Sequence, residues 1–222
     1  MPCRSPLISV TAALSIATDL GTGQPMEFAL RACVLAMRLG ERLGLDEREL
    51  HAVYYQALLR FIGCNAETNL AVALAGDELM LRAEFAKIDP GNPAQFAGLI
   101  WRMLYEANPG ASPLQLAGAL LKGLQILPKV PPSMVDHCEV AQRLAQRFGF
   151  DGEIVAALGQ LYERWDGKGM PNRLKGEAVA PAVRIVTLAQ DAVIFQRMGG
   201  IAAAVQVARQ RKGGAYEPHL AD

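Results

Sequence analysis

Apolar residues recur at every third or fourth position through most of this chain, and proline and glycine cut that rhythm into helix-sized lengths. Alternating apolar and polar runs, the mark of a half-buried strand, are nearly absent. The pattern predicts an all-α fold of about ten helices. Pro25 sits in the first turn of a helix expected over 24–44, where a missing backbone N–H costs nothing, and the apolar stripe is read as Phe28, Leu35, Leu39 and Leu43. Asp46 caps the next helix, which runs through Leu50, Val53, Tyr54, Ala57, Leu58 and Phe61 until Gly63-Cys64-Asn65 ends it. Residues 68–87 read as one or two helices broken at Gly76-Asp77. Helices over 94–107 and 113–127 flank Asn108-Pro109-Gly110.

Residues 128–132 read as a linker. Ser133, with Asp136 three residues on, resembles a capping box opening a helix to Phe148. Residues 151–162 are expected to be helical, as are 181–198 and 200–211. No boundary divides the 222 residues, so a single domain over 1–222 is expected.

Composition narrows the function classes. With 51% apolar and 20% charged residues the chain is globular rather than disordered. A formal net charge of zero argues against nucleic acid as the partner, because neutralising phosphates needs a basic excess on one face. The four cysteines, Cys3, Cys33, Cys64 and Cys138, have no Cys-x-x-Cys spacing, which reads as reduced thiols in a cytoplasmic protein. The apolar run over 7–17 has only Arg4 as a basic flank and is interrupted by Thr11 and Ser15, so a signal peptide is not expected, nor is a membrane span.

The stretch richest in chemistry is Glu163-Arg164-Trp165-Asp166-Gly167-Lys168-Gly169-Met170-Pro171, a charged, glycine-punctuated loop between apolar helical segments. It resembles the signature loop of the HD-GYP family, in which a histidine pair precedes Glu-Arg-Trp-Asp-Gly-x-Gly-Tyr-Pro. The 24–61 helices, Asp136-His137-Cys138-Glu139 and Pro181-Ala182-Val183-Arg184-Ile185-Val186 extend the resemblance, which leaves 67–127 outside the recognised motifs. It implies an HD-GYP-like multi-helix bundle. Active members of that family hold metal ions that activate water to hydrolyse cyclic di-GMP.

The family's ligand positions are mostly replaced here. The first-helix histidine falls at Phe28, the His-Asp doublet at Arg60-Phe61, the histidine pair at Leu161-Tyr162 and the late aspartate at Gln190. Only His137 is kept, and the family tyrosine is Met170. Phe28, Phe61 and Leu161 supply no lone pair, so the resemblance implies a catalytically degenerate, metal-free and cofactor-free domain whose old cavity is plugged by apolar side chains. Its role is then expected in bacterial signalling, binding a guanine nucleotide, a cyclic dinucleotide, a signalling partner or a second copy without hydrolysis. Ligand contacts are expected from Arg164, Trp165, Asp166, Lys168, Gly169 and Arg184, with Arg173 nearby.

Two readings compete with that one. In the first, Trp165 packs under the loop while Arg164 and Asp166 pair to hold it. In the second, the chain is a metal-dependent phosphohydrolase with a rearranged site built from His137, Asp136 and Asp191, although Asp191 is turned by about 100° from Gln190 around a helix. His137 itself reads either as a core histidine bonded to a carbonyl or carboxylate, or as part of that site. His51 is expected on a helix surface, and His219 in a loose tail.

Overall fold

A computed structural model describes residues 5–63, 78–126 and 130–222. It is all-α: among the described residues there are nine α-helices and two short 3-10 turns, Gly176–Ala178 and Pro218–Ala221, and no strand. The helices are α1 Ser5–Gly21, α2 Phe28–Arg42, α3 Glu47–Leu59, α4 Glu78–Phe85, α5 Pro93–Ala107, α6 Pro113–Ile126, α7 Val130–Arg147, α8 Gly152–Leu158 and α9 Pro181–Arg211. The start of the expected 68–87 helices and the residues around Cys3 and Cys64 lie outside the described residues. No described helix is long and apolar enough to cross a membrane.

The centre is a three-helix packing of α2, α3 and α9, with α1 against α2 and α3, and α8 joining α3 to α7. The buried face of α2 is not the leucine stripe read from the sequence. Phe28, Ala29, Ala32, Cys33, Ala36 and Gly40 are buried, while Leu35 and Leu39 are half-buried and Leu43 is 48% exposed. Small residues win because they let backbones approach: a Cβ on Gly40 would come within 2.8 Å of the Leu50 side chain. Helix α1 turns hydroxyl-bearing residues inward. Thr11, Ser15 and Thr18 are buried, their hydroxyls donating to carbonyls three or four residues back, such as Thr18 Oγ1 to Leu14 O at 2.7 Å.

Local signals hold elsewhere. Asp46 caps α3 by accepting from Glu49 N, and the Glu49 side chain returns to Asp46 N. Asp151 caps α8, which ends at Leu158 rather than running on to residue 162. Pro181 stands in the first turn of α9, which continues to Arg211 across a kink at Gly199 and Gly200.

Residues 128 and 129 of the expected linker lie outside the described residues, while its 130–132 part and the Ser133 cap are corrected. Helix α7 begins at Val130, so Pro131 and Pro132 sit in its first turn, where proline's fixed φ and missing N–H are tolerated. Ser133 is an interior, buried helical residue. The C-terminal tail is ordered, not loose: Tyr216 is fully buried and donates to Asp191, which also holds Arg211.

Candidate functional site

Behind the charged loop lies a cavity of about 360 Å³, within the range of small-molecule sites. Its near wall comes from α2, the end of α3, α7 and α9, and its far wall from α4, α5 and the turn between them. Three features set its geometry. Gly63, just past α3, is pressed so closely onto α7 that a Cβ there would stand 2.1 Å from the His137 carbonyl oxygen, which fixes α3 against the histidine. Phe28 and Phe61 pack with ring centroids 6.1 Å apart. Thr187, Gln190, Asp191 and Ile194 follow one face of α9 into the cavity.

The positions assigned to lost metal ligands therefore converge, with one exception. Phe28, Arg60, Phe61, Tyr162 and Gln190 line the cavity together with His137. Leu161 does not: it is fully buried in the main core beside Leu158 and Val183. The expected apolar plug is also corrected. Phe28 and Phe61 stack sideways into the wall with Val193 and Ile194, and the cavity stays open because α4 and α5 extend it outward.

His137 Nδ1 lies 3.1 Å from Tyr162 Oη, so the kept histidine pairs with the hydroxyl that stands where the resemblance places a second histidine. Asp136 is exposed and Asp191 is held by Arg211 and Tyr216, so the rearranged trio of His137, Asp136 and Asp191 is not assembled. Among the described residues no three His, Cys, Asp or Glu side chains are grouped to hold a metal ion. Among the described residues, the carboxylates that line the cavity, Glu163 and Asp191, already accept hydrogen bonds from protein groups. A hydrolytic metal centre needs several carboxylates and imidazoles free to converge.

The signature loop is held by its own charges. Glu163, 2% exposed, accepts from Asn172 N at 2.6 Å and Leu174 N at 2.9 Å. Arg164 grips Asp166 through Nε and Nη2, both at 3.1 Å, and reaches Asp89 before α5 through Nη1. Burial works against the Arg164 charge, yet Asp166 and Asp89 hold its pKa above the ordinary value. Burial likewise pushes Asp166 up, but Arg164 and the Lys168 N–H outweigh it and hold the carboxyl below its usual range. Gly169 is irreplaceable at its position, since a Cβ would stand 2.5 Å from Arg164 N and from Tyr162 O. The tail clasps the loop from outside, with Asp166 N donating to Gly214 O at 2.9 Å and Trp165 N to Ala215 O at 3.3 Å.

Of the expected ligand contacts, Arg164, Lys168 and Gly169 line the cavity, while Trp165, Asp166 and Arg184 lie outside its lining. Arg184 sits 5.6 Å from the Trp165 ring and donates to Glu217 at 2.6 Å, so those three residues brace loop to tail. Arg173 adopts φ 54 in the loop and does not line the cavity. Thr187, Arg211, Phe85 and Phe96 line it without having been singled out. Thr187 was detectable, being three residues before Gln190 on a helix. The two phenylalanines carried no signal, because their inward face depends on how α4 and α5 fold back.

Residues 125–212 match the family model described as HD domain. The chain is 26% identical over 218 residues to the 3'3'-cGAMP-specific phosphodiesterase 3 of Vibrio cholerae, covering 98% of this chain and 47% of that protein. A crystal structure of a cyclic GMP-AMP specific phosphodiesterase from the same organism superposes with a TM-score of 0.68 at 24% identity, over 97% of this chain and 47% of the other, which shows a shared fold. This chain thus spans about half the length of the curated relative it matches.

Proposed function

We propose that this chain, whose residues 125–212 match the HD domain model, is a cyclic dinucleotide phosphodiesterase-like domain that has kept the ligand cavity and lost the hydrolytic centre. The likeness to a protein named for acting on 3'3'-cGAMP supports the ligand class. One observation carries the loss of chemistry: side chains at the replaced metal-ligand positions share the cavity, and the polar ones have changed sense. Where the resemblance implies cation ligands, Arg60 and Gln190 offer N–H donors. Arg60 in particular sets a permanent positive charge against any divalent ion.

The reading treats 1–222 as one binding unit that recognises a guanine nucleotide or cyclic dinucleotide in a signalling role. The loop stays folded without metal because Glu163, Arg164 and Asp166 hold it by direct hydrogen bonds. Titration calorimetry with cyclic di-GMP and 3'3'-cGAMP in EDTA tests it. Binding that persists when divalent ions are chelated is expected. Binding that appears only after manganese or iron is added would overturn it.

A further inference from the structure

The arginines that line the cavity are matched within the protein. Arg164 holds Asp89 and Asp166, and Arg211 holds Asp191. Arg60 donates to Thr187 Oγ1 at 3.2 Å and is coupled through space to Asp191, and Arg82 is engaged as well. Glu163 accepts from the amides of Asn172 and Leu174. A phosphate drawn deep into this lining would lose its water without meeting an unmatched guanidinium, at a large desolvation cost. Lys168 differs, because it lines the cavity from an exposed position on the signature loop and so keeps its charge at the rim.

Between those paired charges the walls are apolar and rich in rings, with Phe28, Phe61, Phe85, Phe96, Met134 and Ile194. Phe85 meets Phe96 edge to face, their centroids 6.4 Å apart. Walls of this kind suit a flat, uncharged guest, since stacking requires a π-face and no ion. A hydrogen-bond donor is set among them. Gln190 is 4% exposed and lines the cavity, and its Nε2 has no acceptor among the described residues. A buried donor in that state carries its full desolvation cost, so a guest that brings an acceptor gains more there than at the surface.

We infer that the cavity receives an uncharged flat ring with an acceptor on its edge, the purine base of a nucleotide. Gln190 Nε2 donates to that edge, and the phosphate stays at the rim beside Lys168. The inference rests on the nucleotide-binding reading above and adds which end of the ligand enters and which residue reads it.

Calorimetry on the 222-residue chain in EDTA, with guanosine, ribose 5-phosphate, indole and cyclic di-GMP as probes, tests it. Guanosine is expected to bind at least about tenfold more tightly than ribose 5-phosphate, a factor that stacking one base provides. Gln190→Met keeps the side-chain length and removes the donor, so it is expected to weaken guanosine by about two- to tenfold. Indole, whose ring nitrogen only donates, is expected to bind that variant as it binds the parent. Because Gln190 is buried, circular dichroism checks that the variant is folded, and the comparison on the native protein stands without it. Ribose 5-phosphate binding as tightly as guanosine overturns the inference. So does a folded Gln190→Met that keeps the parent's guanosine affinity, or one that loses guanosine and indole equally. Cyclic di-GMP binding with no preference for guanosine over ribose 5-phosphate overturns it while sparing the nucleotide reading. The guanosine preference without any cyclic di-GMP binding does the reverse.

Discussion

Replacing Glu163 by glutamine tests whether the loop is held by its own side chains. The carboxylate is 2% exposed and accepts two backbone N–H groups, from Asn172 and Leu174. An amide keeps one oxygen and sets an NH2 group against the other donor, so one charge-assisted bond is lost outright. That bond is worth about 1.5–3 kcal/mol. For a domain of this size each kcal/mol moves the melting temperature by about 2–4 °C, so Glu163→Gln is expected to lower Tm by about 3–12 °C. Glu163→Ala removes both acceptors and roughly doubles the free-energy loss, to about 3–6 kcal/mol. Urea unfolding followed by circular dichroism gives the same quantity independently, provided the slope with denaturant is unchanged. A glutamine variant as stable as the parent refutes the reasoning, because a carboxylate kept for catalysis often relieves strain when replaced.

Arg164→Ala strands Asp89 and Asp166, whose side chains are each 17% exposed, and is expected to cost about 3–5 kcal/mol in urea unfolding. Asp19, which receives Ala29 N at the start of α2, is pushed up to about 6 by burial, against the backbone hydrogen bonds that lower it. Because the native state then binds its proton more tightly than the unfolded state, stability falls as pH rises from about 4 to about 6, by at most about 3 kcal/mol. Asp19→Asn is expected to flatten that slope in melts taken across the window, and an unchanged slope would count against it.

What the sequence disclosed was mostly local. Asp46, Asp151 and Pro181 mark helix starts with chemistry confined to one turn, and each stands where that chemistry requires. Pro131 and Pro132 misled because proline signals a break inside a helix and a welcome first turn at its start, and composition alone does not say which. Within the site, the shared cavity of Phe28, Arg60, Phe61, Tyr162 and Gln190 followed from the resemblance, while the opposite directions of Leu161 and Tyr162 did not. After α8 ends at Leu158 the chain leaves helical spacing, so neighbouring side chains diverge, one into the core and one to His137. Partners far apart in sequence were equally hidden. Arg164 meets Asp89 across 75 residues and Arg184 meets Glu217 across 33, pairings that no local spacing announces.

The decisive measurement is turnover. The 222-residue chain supplied in turn with manganese, iron and magnesium, and incubated with 3'3'-cGAMP or cyclic di-GMP, is expected to yield no linear dinucleotide above a protein-free control. Linear product that forms with one of those ions and disappears in His137→Ala would contradict the account.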